Sequence, residues 1–76
     1  MSLTASMQEK VKGLLPDLMG IEFTDVTPDK VVAQLTVRKD LCTIGDNLHG
    51  GAIMAFADTL GAVAAILNMP KGSRTT

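Results

Sequence analysis

Two periodicities divide this chain. Met7, Val11, Leu14, Leu15 and Leu18 fall at the i, i+4, i+7, i+8 and i+11 positions of one helical face, the stripe an amphipathic helix turns toward a core. Just before it, Ser6-Met7-Gln8-Glu9 has the form of a capping box, in which the serine hydroxyl accepts from the backbone N–H three residues on and the glutamate reaches back. The pattern predicts a helix starting at Ser6, with Pro16 breaking or tightening its last turn and Gly20 stopping it. From Gly20 to Val26 the chain is short and rich in apolar and aromatic residues, and Thr27-Pro28-Asp29 places proline where a turn takes it. From Val31 to Val37 the apolar Val31, Ala33, Leu35 and Val37 alternate mainly with the polar Gln34, Thr36 and Arg38, the period of a half-buried strand. A hairpin is expected.

Asp40 to Leu48 keeps neither period and contains Gly45, Asp46 and Asn47, so it reads as a loop that delivers His49 to the next element. That element is predicted to be a helix from Gly50 to Leu67, closed by Asn68 and by Pro70-Lys71-Gly72. It is apolar on nearly every side and must therefore be wrapped on most of them. At about 27 Å long it is poorly covered by two strands spaced about 4.8 Å apart. Further strands are expected from elsewhere, and Arg74-Thr75-Thr76 reads as the first residues of one. The expected class is α+β, an antiparallel sheet around a long apolar helix, with residues 1–76 forming the N-terminal portion of one domain and the other strands missing.

Composition narrows the picture further. A short chain buries only about 60% of its unfolded surface, so 76 residues are expected to need partners. With 46% hydrophobic and 20% charged residues the sequence is of ordinary globular type. A net charge of -1 and only two aromatics, Phe23 and Phe56, supply neither the basic field nor the stacking surfaces that nucleic acid needs. Cys42 is the sole cysteine and His49 the sole histidine, which leaves no disulfide and no zinc-ligand cluster, so no metal is expected and a reducing, cytoplasmic setting fits. The apolar run from Gly50 to Leu67 is long enough to span a bilayer, but Asp58 near its middle costs roughly 2.5–3.5 kcal/mol there, and no membrane role is expected. Met1-Ser2-Leu3-Thr4 lacks the basic and apolar regions of a secretory signal and reads as an expression remnant outside the fold.

Two places carry chemistry. At His49-Gly50-Gly51 a loop becomes a helix, and glycines there let a ligand approach the backbone. A helix N-terminus presents unpaired N–H donors and about half a positive charge, which suits a carbonyl oxygen turning into an oxyanion. Glycines at a loop-to-helix turn also serve geometry alone. Asp58 is the only ionisable side chain between Gly50 and Leu67, and its helical neighbours Met54, Ala55, Gly61 and Ala62 cannot pair with it. A carboxylate on so apolar a helix is expected either to be used or to be held by a strand or loop. Eight residues separate Gly50 from Asp58, about 12 Å along the axis. A reacting carbonyl must sit about 3 Å from its donor and within reach of its base, so the two groups are expected from different chains, with the helices antiparallel about a two-fold axis.

Asn47-Leu48-His49-Gly50-Gly51-Ala52 followed by Phe56-Ala57-Asp58-Thr59 resembles the motif of the phenylacetate-degradation-type (PaaI-like) hotdog thioesterases, and the order of elements along the chain resembles that family's N-terminal half. The resemblance implies a hotdog fold and hydrolysis of an acyl-CoA thioester to free acid and coenzyme A. Coenzyme A would enter as part of the substrate, with no other cofactor. It further implies that the Gly50 N–H polarises the thioester carbonyl, that His49 orients the thioester, and that Asp58 of a partner chain attacks or activates water. Gly51, Thr43 and Asn47 are the expected substrate-binding positions. Thr43 stands where the family often carries Asn or Gln, a departure that leaves Thr43 or Asn47 to hold the water, and Thr75 or Thr76 lies near the place of an assisting hydroxyl. The implied assembly is a homodimer or dimer of dimers.

Competing readings are a non-catalytic acyl-CoA-binding or subunit-interaction hotdog domain and a hotdog dehydratase, for which no second motif is present. Cys42 lies seven residues from His49 with no third group evident, which fits an apolar filler better than a nucleophile. Ile53, Phe56, Leu60 and Leu67 are expected in the core, and Lys71 and Arg74 as solvated charges or contacts to coenzyme A phosphates.

Overall fold

A computed structural model describes residues 2–69. Helix α1 (Leu3–Lys10) and helix α2 (Leu15–Met19) precede strands β1 (Glu22–Thr27) and β2 (Lys30–Gln34), and a single 3-10 turn (Lys39–Leu41) leads through a loop to helix α3 (Gly50–Asn68). The strands pair antiparallel, Glu22 opposite Gln34 and Thr27 opposite Lys30. This architecture is α+β, a two-stranded antiparallel sheet with a long apolar helix, and it is compatible with the first part of a hotdog fold.

The N-terminal helix starts earlier than the capping box predicts. Ser2 is its N-cap, accepting the Ala5 N–H at 3.0 Å, and Ser6 lies inside the helix. Leu3 and Thr4 therefore belong to the fold, because Thr4 Oγ1 accepts the Val26 N–H at 2.9 Å and ties the first turn to β1. The helix also ends sooner. Gly13 takes φ +78° and turns the chain, so Pro16 sits in the first turn of a second helix, where its missing N–H costs nothing. The predicted stripe is split accordingly: Met7 and Val11 are buried, whereas Leu14, Leu15 and Leu18 are exposed.

Gly20 ends α2 in the left-handed region at φ +81°, as the stop signal predicts. Between Phe23 and Asp25 the ladder slips by one residue at Thr24. Residues three apart on a regular strand point to opposite faces, and this bulge is what lets both Phe23 and Val26 face the core. Gln8 completes the sheet's edge from α1, its Nε2 donating to the Ile21 carbonyl at 3.0 Å and its Oε1 accepting the Phe23 N–H at 2.8 Å. In β2 the expected alternation holds for Val31, Ala33 and Leu35, but the strand ends at Gln34 and Val37 is exposed.

The core gathers Met7, Val11, Met19, Ile21, Phe23, Val26 and Val63. On α3 only Val63 is fully buried, with Ala52, Ala55, Phe56 and Leu67 packed partly against the core. The wrapping expected for this helix is thus supplied on one side among the described residues, and Ile53, Met54 and Ile66 on the other side are exposed. By length and composition α3 could cross a membrane. Its far end is tied to the hairpin, for Asn68 Nδ2 donates to the Pro28 carbonyl at 2.8 Å. The expectations placed on Pro70-Lys71-Gly72, Lys71, Arg74, Thr75 and Thr76 lie outside the described residues.

Candidate functional site

The loop from Leu41 to His49 closes on itself before the helix begins. Cys42 bridges to Leu48, Thr43 donates its backbone N–H to the Asn47 carbonyl at 2.7 Å, and His49 donates to the Leu41 carbonyl at 2.9 Å. Gly45 at φ +85° and Asp46 at φ +60° turn its tip, and left-handed backbone is what Gly and Asp tolerate best. The loop thus delivers His49 in one orientation. Thr43 and Asn47 pair through their backbones, are exposed, and lie outside the concavity beside His49.

His49 is the N-cap of α3, and its Nδ1 accepts the Gly51 N–H at 2.8 Å. Two consequences follow for the donors at this helix start. Gly51 spends its N–H within the cap and has none to offer a ligand. Gly50 is different: among the described residues no acceptor is in hydrogen-bonding reach of its N–H, and a Cβ placed on it would meet nothing within 4 Å. A Cβ on Gly51, in contrast, would lie 3.0 Å from His49 Nδ1 and 3.2 Å from Cε1. The second glycine makes room for the imidazole, and the first leaves its N–H open. With Nδ1 accepting, the neutral ring carries its proton on Nε2, so His49 presents a donor outward.

Beside this turn lies a concavity of about 330 Å³. Leu15 and Met19 of α2 form one wall, Asp40, Leu41 and Cys42 a second, and His49, Gly51, Ala52 and Ala55 the third. Cys42 Sγ donates to the Arg38 carbonyl at 3.4 Å, a packing role rather than a nucleophile's. Arg38 itself was not singled out by any motif. Its guanidinium donates to the Met19 and Leu18 carbonyls, both at 2.7 Å, and to Asp40 at 2.6 Å, and these partners are nearly invisible in a linear sequence because two are backbone atoms.

Asp58 faces a different groove, also about 330 Å³, together with Met7, Lys10, Val11, Leu14 and Ile66. Among the described residues none lines both hollows. The side chain is exposed rather than buried, because the open side of α3 carries it, and no cation among the described residues comes within salt-bridge distance. The cost of burial that the sequence suggested is therefore absent within this chain. The predicted separation from the Gly50 N–H, about 12 Å along one helix, stands. Among the described residues no group of three or more His, Cys, Asp or Glu could hold a metal ion.

No family model matches the chain. Two curated proteins of Mycobacterium tuberculosis, one from strain CDC 1551 / Oshkosh and one from strain ATCC 25618 / H37Rv, each bearing the name "Putative esterase", are 36% identical to it over 47 residues. The match covers 62% of this chain and 34% of each relative, so the chain spans about a third of their length. No solved structure matches.

Proposed function

We propose that this chain contributes one half of each active site in a hydrolase of acyl-CoA thioesters with a hotdog fold, acting as a homodimer or dimer of dimers in the cytoplasm. The observation that carries the reading is the start of α3: Gly50 has an open N–H, and its neighbours His49 and Gly51 line a mostly apolar concavity, with the His49 ring fixed by its bond to Gly51. The likeness to proteins named as esterases supports hydrolysis as the broader class, and the acyl-CoA substrate rests on the motif resemblance.

In this mechanism the thioester carbonyl oxygen points at the Gly50 N–H, and His49 Nε2–H orients the thioester. Asp58 of the partner chain takes a proton from water as the water oxygen attacks the carbonyl carbon. The negative charge that develops on the carbonyl oxygen is stabilised by the N–H donor and the positive end of α3. Collapse of the tetrahedral intermediate breaks the carbon–sulfur bond, and the proton held by Asp58 passes to the departing thiolate, so that the acid and the coenzyme A thiol are released and Asp58 is ionised again. Coenzyme A is consumed as part of the substrate, with no metal and no other cofactor.

Asp58→Ala and Asp58→Asn in the complete protein are expected to lower thioester hydrolysis at least about a hundredfold with the fold intact. Near-normal turnover in either variant overturns the role of Asp58. The exposure of Asp58 in this chain favours a second reading, an acyl-CoA-binding domain without catalysis. Under that reading the wild type binds acyl-CoA without turning it over, and the Asp58 variants bind equally well.

A further inference from the structure

The concavity beside His49 has three walls on three separate stretches of chain, and one side chain joins two of them. Arg38 donates from Nη1 to the Met19 carbonyl and from Nη2 to the Leu18 carbonyl, each at 2.7 Å, while its Nε donates to Asp40 Oδ1 at 2.6 Å. Met19 and Asp40 are themselves wall residues. The carbonyls of Leu18 and Met19 belong to the last turn of α2, where no further helical N–H is available to them. A planar guanidinium suits such a task, since its donors are held in a fixed fork that a lysine cannot reproduce.

The backbone is shaped to admit this contact. A Cβ on Gly20 would come within 2.9 Å of Arg38 Nη1, and Gly20 already stands at φ +81°. Arg38 also serves the second wall through its main chain, its carbonyl accepting the Leu41 N–H at 3.0 Å and the Cys42 thiol at 3.4 Å. Beyond the bonds from Arg38, helix α2 is held by Met19, which is buried in the core, and by Asp17 Oδ2, which accepts the Gly13 N–H at 2.9 Å. It has only five residues, follows the turn at Gly13, and leaves Leu15 and Leu18 exposed.

We propose that Arg38 is a positioning residue that sets the length of acyl chain accepted beside His49, by latching α2 against the Lys39–Leu41 turn. The wall groups a chain would meet are Leu15, Met19, Leu41, Ala52 and Ala55, all apolar. A hollow of about 330 Å³ lies at the small end of ligand sites, which run from about 300 to 1,000 Å³. It suits a short or medium acyl group. With the latch closed, the distance from α2 to the turn is fixed. With it open, α2 tilts about its buried Met19 and the hollow lengthens. This inference rests on the reading of the concavity as the acyl site.

The test measures binding of straight-chain fatty acids from butanoate to dodecanoate to the complete protein by calorimetry, with hydrolysis of the matching acyl-CoA thioesters measured in parallel. Wild-type affinity is expected to climb about fourfold per added methylene and then to level off or fall at a definite length. Arg38→Met is expected to move that limit by two or more methylenes toward longer chains. Arg38→Lys, which keeps the charge and the apolar stem, moves it the same way by less and guards against a variant that fails to fold. An unchanged limit in folded Arg38→Lys, with all chain lengths weakened by one common factor, overturns the proposal and leaves Arg38 a purely structural tie. Failure of every fatty acid to bind the wild type overturns it too. A shifted binding limit without thioester hydrolysis by the wild type supports the latch and overturns the thioesterase reading, so the two failures are told apart.

Discussion

The imidazole of His49 and the backbone N–H of Gly51 close a hydrogen bond of 2.8 Å across the first turn of α3. One side chain therefore caps the helix through Nδ1, and the proposed reaction would use its other ring nitrogen, so that the two tasks fall to different atoms.

That division is separable by substitution. His49→Ala removes the cap and is expected to destabilise the protein by about 1 kcal/mol and to lower turnover, whereas His49→Asn, a good N-cap, keeps the stability and still loses turnover. Thermal melts beside thioester assays check this. Full turnover in a His49→Asn protein of unchanged stability would mean that His49 only caps.

The two glycines are expected to differ. Gly51→Ala forces the His49 ring out of its place, at a cost of order 1 kcal/mol in stability, and lowers turnover tenfold or more. Gly50→Ala meets open space and leaves the melting temperature unchanged or slightly raised. A Gly51→Ala protein as active as the wild type would show that the ring position is irrelevant to the reaction.

The separate hollows of His49 and Asp58 lead to a complementation experiment. Inactive His49→Ala and Asp58→Ala chains, unfolded together and refolded, are expected to regain about a quarter of wild-type activity, since about half of the dimers are hybrids and each hybrid has one good site in two. Hybrids confirmed by mass but no more active than their parents would place both groups in one chain's site.

Gln8 supports the sheet from outside it. Gln8→Ala leaves the Ile21 carbonyl and the Phe23 N–H without their partner, with an expected loss of about 2 kcal/mol seen in denaturant unfolding. Loss below about half of that would mean that water satisfies both groups.

Features governed by a residue's own backbone were readable in the sequence. The stop at Gly20 follows from its freedom at positive φ, the start of α3 from the His-Gly-Gly turn, and the hairpin from alternating Val31, Ala33 and Leu35. What depends on distant partners was not. Ser6 offered a better capping box than Ser2, yet Thr4 prevails because its hydroxyl finds Val26, 22 residues on. The bulge at Thr24 leaves no trace in a period-two pattern until Phe23 and Val26 are seen on one face. Arg38 passed as one more polar position on a strand because its partners include two carbonyls 19 and 20 residues away. Within the candidate site, the loop-to-helix turn at His49, Gly50 and Gly51 was legible as local geometry, but the capture of the Gly51 N–H by His49 Nδ1 was not, and the exposure of Asp58 depends on which side of α3 the rest of the chain covers.

Hairpin tips are ordinarily where a protein accepts an inserted tag or epitope. Here the Pro28 carbonyl receives Asn68 Nδ2 from the last turn of α3, so the tip is a mooring point and not a free end. A few residues inserted at Pro28 would cast off the far end of the helix, and the damage would register as faster amide exchange near Leu67 and Asn68, forty residues downstream of the insertion.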